Sequence, residues 1–153
     1  MASVRGKGQL NGRISNFTLQ FGVDSMFLAA GNAENMGIDA VLAEMRRHAG
    51  SANVQERGCG VLIRLAAGNA ENQGKIGAQG GIELVLEAMR RHAGSANVQE
   101  QGCEALANLA CGNAENQGKI DAQGGMEVIT DGMQKHKHDF AETARKVRIM
   151  CWG

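Results

Sequence analysis

Three histidines, His48, His92 and His136, recur at intervals of 44 residues, and a histidine column is first of all a candidate for metal ligation. Each ring nitrogen would have to lie about 2 Å from a shared ion. Packed helices of successive units stand roughly 8–10 Å apart, so the three rings cannot meet at one metal. Following Arg46-Arg47 and Arg90-Arg91, His48 and His92 instead read as cations at the negative end of a helix dipole, the role expected for all three. His136 and His138 stand closer together but lack further ligands. The segment from Gly68 to Lys75 has the glycines and lysine of a phosphate-binding loop. Five residues separate its glycines rather than four, however, and Ile76 stands where Ser or Thr should hold magnesium. Asn16-Phe17-Thr18 fits the glycosylation pattern without any export signal. No Ser, Cys or carboxylate has a recognisable catalytic companion, so we expect no catalytic residue, metal or cofactor, and a protein that is not an enzyme.

Cysteine is the remaining reactive type. Cys59, Cys103, Cys111 and Cys151 form no C-x-x-C pair, and Cys59 and Cys103 sit inside apolar helix patterns, where Cys acts as a small hydrophobe. They read as reduced thiols of a cytoplasmic or nuclear protein.

The elements that carry these residues follow from composition. Apolar residues make up 43% of the 153 residues but aromatic ones only 3%, so the core must be Leu, Ile, Val, Met and Ala, which suits packed helices. There are 22 Gly and no Pro, so Gly and Asn must punctuate the helices. Lys and Arg together number 16, as do Asp and Glu. That balance argues against general nucleic-acid binding, which draws its affinity from neutralised phosphates. No stretch is long and apolar enough to span a membrane.

Internal repetition organises the chain. Gly-Asn-Ala-Glu-Asn begins at Gly31, Gly68 and Gly112, and Met45–Glu56 recurs unchanged as Met89–Glu100, 44 residues later. A period in the low forties marks helical arrays whose units bury their apolar faces against neighbours. In the unit 68–111, a turn at Asn69–Asn72 precedes a short first helix with Gln73, Lys75, Ile76 and Ala78, ended by Gly80-Gly81. A second helix over Ile82–His92 places Ile82, Val85, Leu86 and Met89 on one face. Ser95 or Asn97 caps a third through Val98, Ala105, Leu106 and Leu109.

These residues resemble the armadillo family. Ile76-Gly77-Ala78-Gln79-Gly80-Gly81-Ile82 is similar to that family's junction of first and second helices, and Val98-Gln99-Glu100 through Leu106-Ala107-Asn108-Leu109-Ala110 resembles its third helix. The likeness runs from about residue 17 onward. It implies an all-α, right-handed α-solenoid of armadillo-like three-helix repeats over 15–153, after an N-terminal arm at 1–14. Within it, 15–30 is a lone third helix, and 31–67 is a repeat lacking its first helix, near 36–37. The unit 68–111 is complete, and 112–153 is a divergent terminal repeat.

In that family the third helices line a concave groove, and a repeated Asn grips the backbone of an extended peptide. Asn108 alone matches, with Phe27, Arg64 and Trp152 as its counterparts; Glu104 replaces the family's Trp. The resemblance thus implies groove positions Gln20, Val23 and Phe27, then Arg57, Gly60 and Arg64, then Gln101, Glu104 and Asn108, then Arg145, Arg148 and Trp152. The four arginines favour a partner bearing carboxylates or phosphates, with Phe27 and Trp152 as aromatic anchors. The partner-binding set is accordingly Arg57, Arg64, Gln101, Glu104, Asn108, Arg145, Arg148 and Trp152. The expected function is a protein-protein interaction module or scaffold holding an acidic protein or peptide segment. The alternative is a self-assembling piece of a longer array, associating through ends that lack polar caps.

Overall fold

The computed structural model describes residues 34–136 together with Arg145. Residues 34–136 fold into seven helices: α1 (Glu34–Arg47), α2 (Ala52–Ala66), α3 (Ala70–Ala78), α4 (Gly81–Arg91), α5 (Ala96–Ala110), α6 (Ala114–Ala122) and α7 (Gly125–Lys135). The protein is therefore all-α over the described residues, and no helix among them is long and apolar enough to cross a membrane.

Local chemistry sets the boundaries. Ser51 and Ser95 are extended, and their hydroxyls accept from the amides of Val54 and Val98, starting α2 and α5. Asn69 and Asn113 do the same for α3 and α6, accepting from Asn72 and Asn116 at 3.0 Å. The helix thus begins at Ala70, inside the turn expected at Asn69–Asn72, because the Asn69 side chain supplies the acceptor that the first turn needs. Of the two expected caps of α5, Ser95 is used. Gly80 and Gly124, at φ +82° and +71°, turn the chain from a short helix into α4 and α7, a conformation that an L side chain resists. No such break divides α1, which is continuous from Glu34 to Arg47.

Each helix packs on its counterpart one unit on: α1 on α4, α2 on α5, α3 on α6, α4 on α7. Ile38, Leu42, Leu62, Ile76, Ile82, Leu86, Leu106, Leu109 and Ile120 are fully buried between them, each stabilising the fold by roughly 1.5–3 kcal/mol through lost apolar exposure. Helix ends inside such a stack leave carbonyls without partners. Side-chain amides supply the missing donors. Gln55 gives its two amide hydrogens to Met45 O (3.0 Å) and His48 O (2.9 Å), ending α1. Gln99 repeats this on Met89 O (2.8 Å) and His92 O (3.1 Å), ending α4. Asn72 and Gln73 donate to Leu65 O and Ala66 O at the end of α2.

Asn116 goes further, tying Leu109 O (2.8 Å) at the end of α5 to Gln73 O (2.9 Å) in α3. It reaches Gln73 only because position 77 is glycine: a Cβ there would lie 2.1 Å from Asn116 Oδ1. The histidines tie units together as well. His92 Nε2 donates to Ala49 O (2.8 Å) and His136 Nε2 to Ala93 O (3.0 Å). His92 and His136 stand at the C-terminal ends of α4 and α7, as expected, and add an inter-unit bond from those positions. His48 instead lies 3.3 Å from the buried Glu44 carboxylate, at a position that is Ala88 and then Gly132 in the later units.

The face formed by α6 and α7 departs from this pattern. Residues 112–125 repeat 68–81 with one exchange, Asp121 for Gly77. Leu42 and Leu86 are fully buried, whereas their counterpart Thr130 is exposed. Arg46 and Arg90 reach across to Gln79 O and Gln123 O, whereas Gln134 is exposed. Asp121, Thr130 and Gln134 are therefore exposed polar residues on this face.

Placing the outer residue at the inner junction should break it. Gly77→Asp should cost about 2 kcal/mol or more in urea denaturation, because it displaces Asn116 and leaves the buried Asn116 amide without its partner at Gln73 O. The reciprocal Asp121→Gly should change stability by less than about 0.5 kcal/mol. Equal effects of the two exchanges would show that Gly77 has no special part in the junction.

Candidate partner-binding groove

Asn53, Arg57, Gly60 and Arg64 follow one another at helical spacing and form a single stripe along α2. Together with Glu56 and with Gln101 from α5 they line an open recess of about 500 Å³. Arg57 Nε donates to Asn53 Oδ1 at 2.8 Å, which steadies the guanidinium along the helix. Arg64 is exposed. Gln101, Glu104 and Asn108 continue the surface on α5, each half-buried. Asn108 turns one amide hydrogen onto Glu104 O at 2.9 Å, which leaves its carbonyl oxygen to accept from a ligand.

Gly60 forms the floor of the recess. Within α2, Gly58 is required by packing, since a Cβ there would stand 2.5 Å from Met45. At Gly60 a Cβ would meet only Gln101 Oε1, at 3.3 Å, the mobile tip of a side chain. Mid-helix glycine costs roughly 0.5–1 kcal/mol relative to alanine. At Gly60 packing gives no return for that cost; what the missing side chain provides is open space between two guanidinium groups.

The structure thus brings together Arg57, Arg64 and Gln101, with Glu104 and Asn108 next to them on α5. Arg145 is helical and exposed. Arg148 and Trp152, like Gln20, Val23 and Phe27, lie outside the described residues. Asn53 and Glu56 belong to the recess but are absent from the expected set. Asn53 precedes Arg57 by four residues on the same stripe, and that spacing is the signal that could have found it.

A larger recess, about 630 Å³, opens between α4 and α7 beside Met89, Ala93, Val128 and Gly132. Its counterpart between α1 and α4, beside Met45, Ala49, Leu84 and Ala88, holds about 120 Å³. Val128 replaces Leu84 and Gly132 replaces Ala88, so two smaller side chains widen a packing seam on α4 and α7, the helices that do not carry the arginine stripe.

Among the titratable groups, Cys59 and Cys103 are buried in the core. Burial pushes both thiols from the ordinary 9.0 up to about 12, with each other's proximity adding to the effect at Cys59. Such thiols are poor nucleophiles. Cys111 is exposed. Among the described residues, no group of three or more His, Cys, Asp or Glu is disposed to hold a metal ion.

In comparisons with known proteins, no family model, no curated protein and no solved structure matches the chain.

Two outcomes follow for these residues. Gly60→Ala should raise stability by roughly 0.5–1 kcal/mol in thermal or urea unfolding, whereas Gly58→Ala should lower it. The thiols should make the fold sensitive to alkali. Their folded pKa lies above the unfolded value, so their contribution is complete below about pH 9 and is lost as pH rises toward 12. The slope approaches about 1.4 kcal/mol per pH unit for each thiol. A Cys59→Ala variant should show a shallower decline, and iodoacetamide should label Cys111 well ahead of either buried thiol.

Proposed function

We propose that the chain is an interaction module, a short armadillo-type solenoid whose α2–α5 surface holds an extended acidic segment of a partner protein. The observation that carries this reading is where two near-identical helices differ. Ala52–Ala66 and Ala96–Ala110 differ at five positions, and three of them are the stripe positions 57/101, 60/104 and 64/108. The amides that close the helix ends and the glycines that admit methionine are the same in both. Three of five differences falling on one surface stripe of an otherwise repeated frame is what a binding surface requires.

The chemistry of the stripe supports an acidic ligand. Guanidinium groups pair with carboxylates in a bidentate manner, and Arg57 and Arg64 flank a recess floored by glycine. Asn108 offers a carbonyl to a peptide N–H, in keeping with the backbone grip that the family resemblance implies. The thiols of Cys59, Cys103 and Cys111 are free and fit a reducing compartment, cytoplasmic or nuclear.

The test is binding of a glutamate-rich decapeptide by calorimetry at low salt. Arg57→Glu combined with Arg64→Glu should weaken it at least tenfold, with the unfolding temperature little changed. An affinity unaltered by the double reversal would remove the groove from consideration.

A further inference from the structure

The two helices that form the groove carry opposite charge. Within Ala52–Ala66 there are two arginines and one glutamate, Arg57, Arg64 and Glu56, a net charge of +1. Within Ala96–Ala110 there are two glutamates, Glu100 and Glu104, and no basic residue, a net charge of −2. The change is sharpest on the stripe itself, where Arg57, Gly60 and Arg64 become Gln101, Glu104 and Asn108. Glu100 and Glu104 are half-buried, one turn apart on α5, so neither is a fully solvated surface charge. The helices lie side by side, and Gln101 reaches to within 3.3 Å of the Cβ position of Gly60. The positive and negative patches are therefore contiguous parts of one surface.

From this we infer that the groove selects its ligand by an ordered pair of charges: an acidic residue seated over Gly60 between Arg57 and Arg64, and a basic residue over Glu104. The inference rests on the acidic-segment reading of the same groove and adds the second residue and the spacing. Neighbouring helix axes stand about 8–10 Å apart, and an extended chain advances about 3.3 Å per residue. The two charges therefore belong about three residues apart. Gly60 and Glu104 are the specificity-determining pair. They occupy the same position in the two units, and the exchange from no side chain to a carboxylate turns an anion seat into a cation seat.

Four labelled Gly-Ser peptides of equal length test this by fluorescence anisotropy at low salt. One carries a single Asp, one an Asp with a Lys three residues away, one an Asp with a Lys seven residues away, and one neither charge. The three-residue pair should bind about fivefold more tightly than Asp alone, the increment of one favourable charge pair. The seven-residue pair should show no such gain. With Glu104→Gln the three-residue pair should bind no better than Asp alone, and Gly60→Glu should weaken every Asp peptide. If Asp alone binds and Lys adds nothing at either spacing, the charge-order inference is wrong and the acidic-segment reading stands. If no Asp peptide binds better than the uncharged one, both fall.

Discussion

Helices of nine to fifteen residues cannot bury their ends without supplying donors for the carbonyls that the last turn leaves open, and that requirement governs this fold. Each such carbonyl costs about 1–3 kcal/mol if it is buried without a donor. Gln55, Asn72, Gln73, Gln99, Asn116 and Gln117 meet the need, each giving amide hydrogens to the end of a preceding helix. All but Gln117 are buried. Gln55, Gln99 and Asn116 each point two amide hydrogens at two carbonyls, so their places fix the angle between helices as well as their order. Asn116 extends the same device between units, and Gly77 exists to let it pass. The polar interior thus sets the register, and the Leu, Ile and Val core fills in around it.

The groove follows from that frame. With the inner face of α2 and α5 committed to amides, to the glycines that admit Met45 and Met89, and to the thiols of Cys59 and Cys103, the outer stripe has no packing duty. Arg57, Gly60 and Arg64 differ from their counterparts Gln101, Glu104 and Asn108 in charge and size at no cost to the core. Gly60 illustrates the separation best. Two residues from Gly58, in the same helix, it carries no packing constraint and yet gives up helix stability.

Much of this was legible in the chain. The period of 44 residues, the helix stops at Gly and the apolar faces follow from repetition and spacing alone. Repetition also pairs Arg57 with Gln101, since residues at equivalent positions in stacked units must line up, while the groove positions themselves are what the family resemblance implies. What periodicity does not encode is partnership. The buried amides look like ordinary polar residues in sequence, because nothing local announces that a carbonyl ten residues earlier needs a donor. The same holds for the histidines: their helix-end places follow from spacing, but the acceptors of His92 and His136, Ala49 and Ala93, lie 43 residues away. α3 begins at Ala70 because the Asn69 side chain starts the helix inside what reads as a turn. Glu44 is the converse case. A carboxylate at a position that is later Ala88 and Gly132 is conspicuous in the alignment of units, yet only the fold shows Arg47 and His48 beside it.

The most direct measurement is amide chemical-shift mapping with the Asp-containing peptide. The expected result is a continuous set of perturbations on the α2–α5 stripe, at Asn53, Arg57, Gly60, Arg64, Gln101 and Glu104, with little change on α4 and α7. Perturbations centred on the α4–α7 recess, or none at saturating peptide, would contradict the groove as the working surface of this protein.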